Sequence, residues 1–180
     1  MKNIVCFIVV MILVFSIGTV FAADTVKPKV VVLFHETFAE SQKLKQEPNK
    51  IFLDNLTQRL SNNYNVILDG GFSDKLNAAG LSEPILAERG DLIPIFRAEN
   101  VDYVIIIFGN NYANNDVGYF SLYRYYLQIK VIDVSQNKYL FNGQLNADRK
   151  DGTTLVGRYL AELYVETENT LRKVMPELRK

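Results

Sequence analysis

The chain has 180 residues, 48% of them hydrophobic, with 20 basic residues, 20 acidic residues and one cysteine. A formal net charge of zero provides no global basic field, which argues against a nucleic-acid-binding protein. Because Cys6 is the only cysteine, no internal disulfide can form, and the fold must be stabilised by its hydrophobic core.

The first 22 residues have the pattern of a secretory signal peptide. Lys2 is followed by a long apolar run, and the small residues Val20 and Ala22 stand where a signal peptidase reads the chain. We predict a signal peptide at 1–22, cleaved after Ala22, and a single domain at 23–180 that is periplasmic or secreted and has no membrane span after cleavage. An uncleaved N-terminal membrane anchor is the alternative, because the apolar run is near the lower length limit of a spanning helix.

Strand and helix patterns alternate through the first half of the domain. Residues 29–34 are apolar at almost every position and β-branched, as in a strand that is covered on both faces. A helix is predicted from Pro48 to about Asn62, followed by a short strand at 65–69. The helix has apolar residues at helical spacing: Phe52, Leu53, Leu56 and Leu60.

The next segment combines short helices with longer strands. We predict helices at 73–80, 82–90 and 91–100, the first two with serine caps, and then a buried strand at 101–108. An asparagine- and glycine-rich loop follows at 109–118. A long strand is predicted from about 123 to 134, and a turn at 133–138 leads into a second strand that pairs with it as an antiparallel hairpin. A last helix is predicted from about 151 to 175.

This order of elements predicts the fold class. Strands separated by helices imply parallel pairing, and the hairpin adds antiparallel strands on one side. We therefore expect an α/β fold: a single three-layer domain whose mixed sheet has central parallel strands, a long antiparallel hairpin and a C-terminal helix.

Side chains alternate across a strand, so parity separates the two faces of the hairpin. The odd positions of 123–131 are Tyr, Tyr, Leu, Ile and Val, which indicates a core face. The even positions are polar or amphipathic, and we predict that they form an exposed protein-contact surface together with Tyr119, since Tyr and Arg are favoured at interface centres. These even positions are Arg124, Tyr126, Gln128 and Lys130. Tyr126 is the only aromatic residue among them, too few for an RNA-reading sheet.

A second candidate site lies where the first two strands end. His35 and Glu36 follow the first strand, and Asp69, Gly70 and Gly71 follow the second, so the five residues could form a ligand crevice at the carboxyl ends of parallel strands. The sequence has no HExxH, GxGxxG or GxSxG motif. We therefore predict no catalytic residue, no metal site and no cofactor.

Two segments carry a resemblance to a known group of proteins. "VDYVIIIFG" at 101–109 and "LQIKVIDVSQNKYL" at 127–140 resemble bacterial envelope α/β domains, a group that includes the TolB amino-terminal domain, CsgG and the lipoprotein activators of penicillin-binding proteins. The likeness extends loosely over nearly the whole domain. It implies a non-catalytic module that assembles or regulates envelope machinery. Unlike the lipoprotein members, this chain has no lipobox cysteine.

Together these observations predict an exported, non-enzymatic envelope protein that acts as a protein-binding or assembly module. Its partner would be another envelope protein or a second copy of itself, and not a nucleic acid. The alternative is a small-ligand-binding protein or enzyme that uses the crevice at the carboxyl ends of the parallel strands.

Overall fold

The computed structural model describes residues 26–36, 46–114, 122–149 and 156–175. Within these ranges lie five strands and four helices, and the predicted signal peptide at 1–22 falls outside them. The strands are β1 (Lys29–Glu36), β2 (Asn65–Leu68), β3 (Tyr103–Asn114), β4 (Leu122–Asp133) and β5 (Lys138–Arg149). The helices are α1 (Gln46–Ser61), α2 (Phe72–Ala78), α3 (Arg89–Ala98) and α4 (Val156–Val174).

All five strands form one mixed sheet in the order β2-β1-β3-β4-β5. β1 pairs in parallel with β2 on one side and with β3 on the other, because the helical crossovers carry the chain back to the same end of the sheet. β3, β4 and β5 pair antiparallel through two hairpins. The predicted mixed sheet with parallel strands and an antiparallel hairpin is confirmed.

One face of the sheet packs against α1 and α4. The apolar side of α1, predicted from its helical spacing, is buried, and Phe52 stacks on Tyr164 of α4 with ring centroids 3.9 Å apart. Thr167, a polar residue on the inward side of α4, is fully buried and donates its hydroxyl hydrogen to the Leu163 carbonyl oxygen at 2.8 Å. Its hydroxyl is therefore satisfied within the helix, as burial requires.

The opposite face packs against α2 and α3, which completes the three predicted layers. Phe72 of α2 stacks on Phe96 of α3 with centroids 5.0 Å apart, and both rings are buried against the sheet. Val31 and Val104 are fully buried under them, which explains why β1 and β3 are apolar at successive positions.

Two local predictions are corrected. The helix expected at 82–90 is instead a turn-rich connection, with Leu86 N donating to the Glu83 carbonyl oxygen, and α3 begins only at Arg89. Pro84 restricts the backbone of the preceding residue away from helical angles, which favours the turns. The loop expected at 109–118 is shorter, because β3 continues to Asn114 through antiparallel pairing with β4.

No helix within the described ranges combines the length and the apolar character that crossing a membrane requires.

Candidate functional site

A row of side chains crosses the sheet on the face that carries α2 and α3. His35 of β1 is paired with Phe108 of β3, Phe108 with Gln128 of β4, and Gln128 with Gln144 of β5. Neighbouring strands are about 4.8 Å apart, so the row spans roughly 14 Å. We call these four residues together with Tyr126 the open face.

The open face begins where the apolar cluster under α2 and α3 ends. On β1 and β3 that cluster includes the buried residues Leu33 and Ile106, each one step before the row on the same side of its strand. Phe108 is half-buried at the margin of the cluster, whereas His35 and Gln144 are exposed. The row is therefore anchored at its apolar margin and accessible at its two ends.

The two rings of the row lie side by side. The His35 imidazole and the Phe108 phenyl ring are 5.8 Å apart between centroids with an interplanar angle of 16°. Such an offset parallel arrangement is favourable for aromatic rings and holds the imidazole in a defined position. Beyond the rings, Gln128 and Gln144 add amide groups that can both donate and accept hydrogen bonds.

A second row lies one step towards the carboxyl end of β3. It pairs Asn110 with Tyr126 and Tyr126 with Asn146, and the Gln144 side-chain amide donates to the Asn146 side-chain oxygen. Tyr126 and Gln128, two residues of the predicted contact surface, are half-buried on this face.

Of two other residues of the predicted contact surface, the structure gives the strand pairing of Arg124 and does not describe Tyr119. Arg124 is paired with Tyr112 of β3 and Asp148 of β5, one more step out along the same side of β4. Tyr119 lies outside the described residues.

Lys130 was predicted on the exposed face, and this expectation is wrong. Its parity is as expected, but the connection between α2 and α3 covers that part of the sheet, so Lys130 is only 7% exposed. Its Nζ atom donates to the Ala87 carbonyl oxygen at 2.7 Å and lies 5.9 Å from the centre of the Tyr139 ring. Parity identifies the side of a strand but not what packs on that side.

Burial affects the protonation of this amine. Desolvation lowers the pKa of Lys130 from its ordinary value of 10.5, and the nearby Glu88 carboxylate opposes that shift. The Arg89 guanidinium group also lies over the Tyr139 ring, 5.3 Å from its centre. These contacts tie the connection between α2 and α3 to the hairpin and hold the margin of the open face in place.

In the predicted ligand crevice, the turn at Asp69, Gly70 and Gly71 is held by a local contact with α2. Asp69 Oδ1 accepts a hydrogen bond from Ser73 N at 2.8 Å, which gives one N–H group in the first turn of α2 a partner. Asp69, Gly70 and Gly71 all have positive φ, so this turn has left-handed backbone throughout. β1 is paired with β2 only as far as Leu68, and His35 lies three residues beyond that point on its strand.

A small crevice lies between α1 and α4. It is lined by Leu56, Leu60 and Leu171, and a salt bridge of 2.6 Å joins Arg59 to Glu168 at its edge. Its volume of about 40 Å³ is close to that of one water molecule. Among the residues that the structure describes, no group of three or more His, Cys, Asp or Glu side chains could hold a metal ion.

Sequence reasoning missed two parts of the open face. Phe108 was predicted within a buried strand, and no role was predicted for Gln144. Neither the pairing of Phe108 with Gln128 nor the position of His35 in the same row follows from local pattern, because both depend on the order of strands in the sheet. The sequence signal that could have identified Gln144 is the polar residue at each even position of 142–146.

No protein-family model and no curated protein sequence matches this chain. Among solved structures, the hypothetical protein CT253 from Chlamydia trachomatis matches with a TM-score of 0.53 and 12% identity, over 82% of this chain and 97% of that chain. Lipoprotein GNA1162 from Neisseria meningitidis matches with a TM-score of 0.49 and 13% identity, over 81% and 99%. The LpoB C-terminal domain from Salmonella enterica matches with a TM-score of 0.38 and 18% identity, over 71% and 88%.

The TM-score of 0.53 with CT253 shows that the two chains share a fold. At 12–18% identity the likeness concerns the fold. Function must be argued from the site itself.

Proposed function

We propose that this chain is an exported, non-catalytic protein of the bacterial cell envelope that binds another envelope protein through the open face. The observation that carries the proposal is the row of His35, Phe108, Gln128 and Gln144, which places two rings and two amides side by side on four neighbouring strands. The signal peptide predicted at 1–22 and the sequence resemblance to envelope domains support the assignment to the envelope.

The chemistry of the open face defines the kind of partner. Its rings offer apolar contact, and its amides can pair with backbone or amide groups of a facing protein. Each side chain lies on a strand whose opposite face is packed against α1 and α4. The backbone is therefore already ordered, and little conformational entropy is lost on binding. A protein surface with apolar and neutral polar groups fits this face better than a strongly charged one.

Photo-crosslinking in cells tests this proposal. A benzoylphenylalanine residue replaces Gln128 on the open face or, as a matched control, Gln58 on the exposed side of α1. We expect a discrete crosslinked species from position 128 that position 58 does not give, and mass spectrometry then identifies the partner. If both positions give the same products, or if position 128 gives none, the open face is not the contact surface.

A second candidate function is supported by the topology. The chain passes from β1 to β2 on one side and reaches β3 on the other, so the carboxyl end of β1 is a topological switch point, where open α/β sheets bind ligands. His35 and Glu36 occupy that end. A small ligand could therefore bind between the end of β1 and the turn at Asp69, Gly70 and Gly71.

A thermal-shift screen with metals, nucleotides and sugars tests the second candidate. A ligand of this crevice should raise the melting temperature of the wild-type protein, and the increase should shrink in His35→Ala. If no compound raises the melting temperature, or if His35→Ala responds like wild type, the crevice does not bind that class of ligand.

A further inference from the structure

The last strand of the sheet has one long side without a strand partner among the described residues. β5 has 12 residues and pairs with β4 only, whereas β2, at the opposite edge, has 4 residues. The backbone N–H and C=O groups on the outer side of a 12-residue edge strand form a template for a further strand.

The composition of β5 does not oppose such pairing. Natural edge strands often carry a charged residue or a proline in the middle, which prevents another strand from adding. In β5 the charges stand only at the ends, with Lys138 at one end and Asp148 and Arg149 at the other, and 139–147 has neither a charged residue nor a proline.

β5 is also compatible with itself in antiparallel orientation. One side of the strand carries Phe141 and Leu145, which pack against the cluster under α4, and the other side carries exposed Asn142 and Asn146. When two such strands pair about a residue near Gly143, apolar residues face apolar residues and amides face amides, because symmetric pairing about a residue preserves parity. The Lys138 end of each copy then lies beside the Asp148 end of the other.

Gly143 leaves room for an aromatic ring at the centre of this edge. An added Cβ would lie 3.0 Å from Phe141 Cζ, so the Phe141 ring occupies the space over the glycine. Phe141 is half-buried, so part of its ring remains exposed. Pairing at this edge would bury that apolar surface, which favours association.

We infer that β5 pairs antiparallel with β5 of a second copy of this chain, which joins two five-stranded sheets into one continuous sheet across a twofold axis. This inference rests on the proposed protein-binding role but uses the backbone edge of β5 and not the rings and amides of the open face. A homodimer of this kind leaves His35, Phe108 and Gln128 accessible on each copy, so the two surfaces can act together.

Sedimentation equilibrium on the protein expressed from its full sequence tests the inference with two opposite variants. One variant carries Asn142→Lys and Asn146→Lys, and the other carries Asn142→Glu and Asn146→Glu. Both residues are exposed, so neither change disturbs the core. Like charges across the paired strands should raise the dimer dissociation constant of each variant by about tenfold or more, and an equimolar mixture of the two should dimerise again.

A matched control carries Asn63→Lys and Asn65→Lys at the opposite edge of the sheet, where both asparagines are exposed. This control has the same charge as the lysine variant and should dimerise like wild type. A monomeric wild type, a lysine variant that dimerises like wild type, a mixture that stays monomeric, or a control that dissociates would each overturn the inference.

The test is separable from that of the proposed function. Loss of the crosslink at Gln128 with normal dimerisation refutes only the open face. Monomeric wild-type protein with an intact crosslink to another protein refutes only the pairing of β5.

Discussion

Replacement of Lys130 measures how far a buried amine supports the margin of the open face. Lys130 is 7% exposed, and its Nζ atom donates to the Ala87 carbonyl oxygen at 2.7 Å. Two substitutions separate its two contributions. Lys130→Met keeps the unbranched stem and removes the charge, whereas Lys130→Ala removes the stem as well.

The expected magnitudes follow from these contacts. Truncation to alanine removes three buried methylene groups, worth about 0.8 kcal/mol each, so Lys130→Ala should lower the free energy of unfolding by about 2 kcal/mol more than Lys130→Met does. The methionine variant loses a charge-assisted hydrogen bond worth about 1.5–3 kcal/mol but also avoids the cost of burying an ion, which is of similar size. We therefore expect Lys130→Met to lie within about 1 kcal/mol of wild type.

Urea unfolding followed by far-ultraviolet circular dichroism measures both differences. If Lys130 stood on an exposed face, both variants would lie within about 0.5 kcal/mol of wild type and of each other. Equal stability of Lys130→Ala and Lys130→Met would therefore refute the packing described for this residue.

The same pair of proteins gives a pH prediction with a definite sign. Burial lowers the pKa of Lys130 in the folded state below its ordinary value of 10.5, so between these two values the unfolded chain binds more protons than the folded protein. Wild type should therefore gain stability relative to Lys130→Met as the pH rises towards 10.5. Urea unfolding of both proteins between about pH 7 and about pH 10 checks this, and a constant or falling difference would contradict it.

Two further predictions concern the packing that positions the site. Gly70→Ala should destabilise the protein by about 2 kcal/mol or more, because Gly70 has a φ of 58° and an added Cβ would lie 2.5 Å from an isoleucine methyl group. Gly90→Ala should be neutral or stabilising, because Gly90 lies in a helix and an added Cβ would meet no atom within 4 Å. Phe52→Ala should cost about 3–5 kcal/mol, since Phe52 is 3% exposed, whereas Ile51→Ala, at a residue 59% exposed, should cost under about 1 kcal/mol. Thermal and urea unfolding measure all four, and equal losses within either pair would contradict the packing.

The layers of the fold were predictable because each is encoded locally. The apolar spacing of α1, the fully apolar stretch of β1 and the alternation in β4 each depend on neighbouring residues alone, and Leu127, Ile129 and Val131 are buried as parity predicts. The parallel pairing follows from the alternation of helices and strands, whereas the order of the strands in the sheet does not.

The hairpin shows where parity fails. A bulge lies between Val131 and Ile132 in the pairing of β4 with β5, so one residue of β5 has no partner. Leu140 and Phe141 consequently pack against the same cluster. Tyr139, which strict alternation would place on the same face as Phe141, packs against the opposite one. The extra residue in β5 reverses which of the odd and even positions face each side of the sheet. The local alternation of apolar and polar residues does not reveal it.

The candidate site was predictable only in part, for a different reason. Tyr126 and Gln128 follow from alternation along one strand. The position of His35 beside Phe108 and the cover over Lys130 come from elements far apart in the chain. Contacts across a sheet require the strand order, which a single sequence pattern does not contain.

The affinity of the crosslinked partner for two charge variants tests the central claim most directly. Gln128→Lys places a charge in the middle of the open face, and Gln58→Lys places the same charge on the exposed side of α1. We predict that Gln128→Lys weakens binding by about tenfold or more, because the charge must be desolvated in the contact, and that Gln58→Lys leaves the dissociation constant unchanged. Equal dissociation constants for wild type and Gln128→Lys would contradict the claim that this face binds the partner.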